Sequence, residues 1–176
     1  MDIANAIQEV AKTTTSAATA SFSADELKTL RISPMLVGMY VAMSSPSGLI
    51  GMAKEAGAMT KALLEAGKVA PVGSIISTLF SAGVQAGDQE SMMNALQSAK
   101  SPDEVKTNLL STFKGAVSIL QKSGGDASSY SNLLMSIATK VAEAAKEGGF
   151  LGVGGTLVSE DEKKALGEIS GALGVK

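Results

Sequence analysis

Three short strings fix where helices begin and constrain this chain more than any other feature: Ser23-Ala-Asp-Glu26, Ser101-Pro-Asp-Glu104 and Ser159-Glu-Asp-Glu162. A helix opens with backbone N–H groups that have no partner inside it. A serine hydroxyl at the cap and a glutamate three residues on satisfy two of these donors reciprocally, and acids in the first turn suit the helix dipole. The second string also carries Pro102 at the first helical position, where a missing N–H does no harm. Helices are therefore expected to start near residues 24, 102 and 160.

Between these starts the apolar residues recur at helical spacing. Leu49, Met52, Ala53, Ala56, Met59 and Leu63 form one stripe, and Val72, Ile75, Ile76, Leu79, Phe80 and Val84 a second behind Pro71. Val105, Leu109, Phe113, Val117 and Leu120 form a third, and Tyr130, Leu133, Leu134, Ile137, Val141 and Ala144 a fourth. Gly67, Gly87, Gly124 and Gly148 stand where C-terminal caps are expected. No alternating strand pattern competes. Apolar residues make up 45% of the 176 but aromatics only 3%, so a core must be built from Ala, Leu, Val, Ile and Met on closely packed backbones. That favours helix on helix. The expectation is one all-α domain over residues 1–176, of seven to nine helices, with residues 1–22 supplying a short first helix and a linker.

Ser23-Ala-Asp-Glu-Leu-Lys-Thr29 lies 78 residues before Ser101-Pro-Asp-Glu-Val-Lys-Thr107, and the turn Ser45-Pro-Ser-Gly48 then falls on Ser123-Gly-Gly-Asp126. This reads as two pseudo-repeated helical halves, 23–100 and 101–176, or as chance likeness between capped helix starts in Ala-, Ser- and Gly-rich sequence.

The chain has no histidine, cysteine or tryptophan. His-based triads, thiol chemistry and the Glu-x-x-His metal motif are excluded by residue type. Net charge is −2 and the lysines are scattered, so no nucleic-acid footprint is present. Met1-Asp2-Ile3-Ala4-Asn5 carries an acid where a secretory signal carries lysines, and cysteine is unused, so a cytoplasmic location is expected. Gly148-Gly-Phe-Leu-Gly-Val-Gly-Gly155 is glycine-dense, but it lacks the strand and the Lys-Ser/Thr of a phosphate loop. Ser111-Thr-Phe-Lys114, Lys122-Ser-Gly124 and Tyr130-Ser-Asn132 echo penicillin-recognising enzymes. They crowd into 22 residues in the wrong order. No cofactor is implied.

Two features could carry function. Uncharged segments 32–53 and 69–87 are long enough to span a bilayer, but Ser33-Pro34 and Ser45-Pro-Ser-Gly48 are expected to break the first into two short helices. Buried core helices are the expected reading, with a membrane-associated or membrane-inserting protein as the alternative. Five of nine methionines, Met35, Met39, Met43, Met52 and Met59, fall in one region, three of them on one helical face. Flexible thioethers either fill gaps in a core poor in aromatics or line an adaptable groove for an apolar ligand or a partner helix. The expected function is therefore non-enzymatic: protein–protein binding, self-association in a homo-oligomer, or apolar-ligand binding. An enzyme using carboxylates and lysines such as Glu65, Glu143, Lys61 and Lys140, with Tyr40, is the other alternative.

Gly154-Gly-Thr-Leu-Val-Ser-Glu-Asp-Glu162, followed by Ala165-Leu166 and Ile169, resembles the D-G-x-(V/I)-S-x-x-E helix start of TerB-like helical domains. The similarity covers residues 154–174. The chain lacks the aspartate before the glycine and has one extra residue before the serine, so the resemblance implies a helical segment and carries over no metal ligand.

Overall fold

The structure, a computed structural model, describes residues 21–44, 57–65, 74–81, 86–97, 99–145 and 158–175. Among these, seven helices and no strand are present. They are α1 (Ala24–Ser44), α2 (57–65), α3 (Ile75–Ser81), α4 (Ala86–Gln97), α5 (Pro102–Lys122), α6 (Ala127–Ala145) and α7 (Glu160–Leu173).

The three capped starts lie where the serines place them. Ser23 and Ser159 each accept from the backbone N–H of the glutamate three residues on, at 3.2 Å, and donate their own N–H back to its carboxylate at 2.8 and 2.7 Å. Ser101 accepts from Glu104 N–H, but the Glu104 carboxylate takes the N–H of Lys100 instead. Between α5 and α6 the chain reverses through Gly124, whose φ of 71° is the left-handed conformation glycine adopts freely. Asp126 then accepts the Ser129 N–H at 2.8 Å and caps α6. Hydrogen bonds to their carboxylates hold Glu26 and Asp126 below their ordinary pKa values. The stability each contributes is present at neutral pH and is lost as pH falls through the lowered folded values.

α1 is the axis of the fold. It packs against α5, α6 and α7, which also pack on one another, and against α3 and α4. Each outer helix turns one stripe inward: Leu109, Phe113, Ala116, Val117 and Leu120 from α5; Tyr130, Leu134, Ile137, Ala138 and Val141 from α6; Ala165, Ile169, Ala172 and Leu173 from α7. By contrast α1 buries Leu30, Ile32, Ser33, Pro34, Leu36, Val37, Gly38, Tyr40 and Val41, which is most of its circumference. A helix apolar nearly all round belongs inside a core. At Gly38 the thioether of Met59 occupies the space a Cβ would need, so α2 approaches α1 closely there.

The expected break at Ser33-Pro34 does not occur: α1 continues through Pro34. Proline has no N–H to give the carbonyl four residues back, so the Leu30 oxygen loses its helical donor. The phenol of Tyr130 replaces that donor at 2.6 Å, from a fully buried position on α6. Gly87 also departs from expectation, lying in the first turn of α4 rather than at a C-cap. Gly67, Gly148 and the turn at 45–48 lie outside the described residues.

Gly167 and Gly171 sit one turn apart on the exposed face of α7, and a Cβ at either would meet nothing within 4 Å. Internal packing does not require glycine there, and glycine inside a helix costs about 0.5–1 kcal/mol relative to alanine. Gly167→Ala and Gly171→Ala should each stabilise the protein by about that amount, seen as a higher urea midpoint with unchanged slope. A lower midpoint would show that this face of α7 is covered.

Candidate functional site

Three of the five methionines singled out in the sequence, Met35, Met39 and Met43, fall on a side of α1 that its neighbours leave partly open. Arg31, Met35, Met39 and Met43 follow one another at steps of four along a single winding stripe. Arg31, Met35 and Met39 are half-buried and Met43 is 45% exposed, whereas the residues between them are mostly enclosed. Met59, on α2, is half-buried against Gly38 and adjoins this edge. Met52 lies outside the described residues. The stripe presents thioethers, with the Arg31 guanidinium at its N-terminal end.

That guanidinium is held. Arg31 Nε donates to Asp88 Oδ2 at 3.0 Å and Nη2 donates to Oδ1 at 2.9 Å, a two-pronged bond between α1 and the first turn of α4. The Asp88 side chain is 3% exposed.

A second polar node joins α1, α5 and α7. The Tyr40 hydroxyl donates to Glu168 Oε2 at 2.6 Å, and its ring meets Phe113 edge-to-face, centroids 6.2 Å apart. The Lys106 ammonium lies 5.8 Å from the centroid of the Tyr40 ring. Burial first, and then the Glu168 carboxylate, raise the Tyr40 phenol well above its ordinary range. Burial raises that of Tyr130 likewise. Both hydroxyls are committed as hydrogen-bond donors, Tyr40 to Glu168 and Tyr130 to the Leu30 carbonyl.

The carboxylate and lysine candidates are used differently. Lys140 and Glu65 pair at 2.6 Å with both side chains more than two-fifths exposed, and Lys61 and Glu143 are exposed. Tyr40 is enclosed and its hydroxyl is taken by Glu168. Ser111 and Lys114 are exposed on either side of the buried Phe113. Among the described residues, no three carboxylates are grouped so as to hold a metal ion. Sequence reasoning missed three pairings, Arg31–Asp88, Tyr40–Glu168 and Tyr130–Leu30, which join residues 57, 128 and 100 apart. A proline in mid-helix was the one signal available, because it demands a donor from elsewhere.

No protein-family model matches the chain, and no curated protein or solved structure is significantly similar to it.

Proposed function

We propose that this protein is a non-enzymatic binding protein that associates through the Met35–Met39–Met43 edge of α1, in the first instance with a second copy of itself. The observation that carries this reading is the placement of three thioethers, two half-buried and Met43 exposed, along the partly open side of a helix otherwise enclosed in the core. Large flexible apolar side chains at a surface re-pack readily against another apolar face. The candidate catalytic groups are engaged elsewhere: the Tyr40 hydroxyl on Glu168, the Tyr130 hydroxyl on the Leu30 carbonyl, and Lys140 with Glu65 in a surface ion pair. Among the described residues no helix is long and apolar enough to cross a membrane. The expected span 32–53 falls partly on α1 and partly outside the described residues, and 69–87 holds α3 and the start of α4, with 69–73 and 82–85 outside the described residues.

The test is light scattering on size-exclusion fractions across a concentration series, for the native chain and for Met43→Lys. Lysine suits this position because the last turn of a helix favours a cation, so the fold should be undisturbed. The native chain should gain mass with concentration and the variant should remain monomeric. A native chain that stays monomeric throughout would remove self-association.

The equal 21-residue lengths of α1 and α5, which start 78 residues apart, support the reading that the chain arose from two related halves. Their surroundings have diverged: α1 is enclosed almost all round and α5 on one face.

A further inference from the structure

α4 differs from its neighbours in what holds it down. Among the residues of α4 whose exposure is described, Asp88 alone is fully buried, and it is an ion. Met92 and Leu96 follow it at steps of four and are half-buried against the core, while Gln89, Glu90, Met93, Asn94 and Gln97 are exposed. By contrast α5 buries five apolar side chains. Among its described side chains α4 therefore buries no apolar group fully; it rests on α1 and α5, and the Arg31 fork on Asp88 ties it to α1.

We propose that α4 is a releasable strap, latched on α1 by the Arg31–Asp88 pair, that opens as a unit while α1, α5, α6 and α7 stay folded. Three physical points support this. A two-pronged Arg–carboxylate bond is directional and short-ranged, so loss of the guanidinium removes the fork that joins Asp88 to α1. A helix of 12 residues is at the lower limit of what persists in water without a dock, so α4 once released unwinds. Elements with few buried apolar contacts open well below the global unfolding free energy. The latch sits at the N-terminal end of the stripe that continues through Met35, Met39 and Met43, so opening the strap widens that apolar edge. This last consequence rests on the binding role proposed above; the strap itself does not.

The test is hydrogen exchange followed by mass spectrometry on the full chain, in water and through a series of sub-denaturing urea concentrations. Amides of 90–97 should exchange at least tenfold faster than those of 109–120 and 133–142, and should open at lower urea than either. Arg31→Met should speed exchange in 90–97 by roughly a further tenfold or more while leaving 109–120 and 133–142 as they were. Arg31→Asp combined with Asp88→Arg should recover part of the protection. If α4 exchanges in step with α5 and α6 throughout the native urea series, the strap is wrong, whatever the variants do. If Arg31→Met leaves 90–97 unchanged, the latch is wrong.

Discussion

Phe113→Ala should destabilise the protein by about 3–5 kcal/mol, the range for truncating a fully enclosed phenylalanine. Phe113 is 0% exposed and lies where α5 meets α1. The substitution removes its apolar transfer energy, leaves a cavity that close-packed helices fill only in part, and strips the edge-to-face partner from Tyr40. Domains of ordinary size are stable by about 5–15 kcal/mol in total, so the variant should be marginal. Urea unfolding followed by circular dichroism measures the loss. A value below about 1 kcal/mol would mean that the site collapses around the gap.

The second large effect concerns the proline in the axis. Tyr130→Phe deletes one oxygen and leaves the Leu30 carbonyl buried with neither its helical donor nor the phenol that replaced it. An orphaned buried acceptor costs about 1–3 kcal/mol. The cause is specific and can be isolated. In a Pro34→Ala background the residue at 34 regains an N–H four positions after Leu30, and the same Tyr130→Phe change should then cost well under half as much. The difference between the two costs is the coupling energy of a double-mutant cycle. Equal costs in both backgrounds would show that the phenol contributes through something other than the carbonyl that proline frees.

How far the fold could be read beforehand follows from the range of the forces involved. Helix starts at 24, 102 and 160 are local matters: a serine, a glutamate three residues on, and a backbone with donors to satisfy. The reversal at Gly124 is equally local. α4 was not legible, because a stretch in which aspartate is the one fully buried residue among those described has little apolar periodicity to show. The passage of α1 through Pro34 was not legible either, since the donor that permits it comes from 100 residues away. The methionine face followed from spacing, whereas its partial exposure depends on where the neighbouring helices pack. Helical spacing shows which residues share a side and says nothing of what covers that side.

Methyl NMR of the intact chain with labelled methionines, recorded from dilute to concentrated solution, tests the proposed binding edge residue by residue. Signals of Met35, Met39 and Met43, assigned by substitution, should shift or broaden together as concentration rises, while Met135, on α6 and outside that stripe, stays in place. If those three signals hold constant, or if Met93 on the exposed side of α4 moves in their place, the α1 edge is not the surface through which this protein associates.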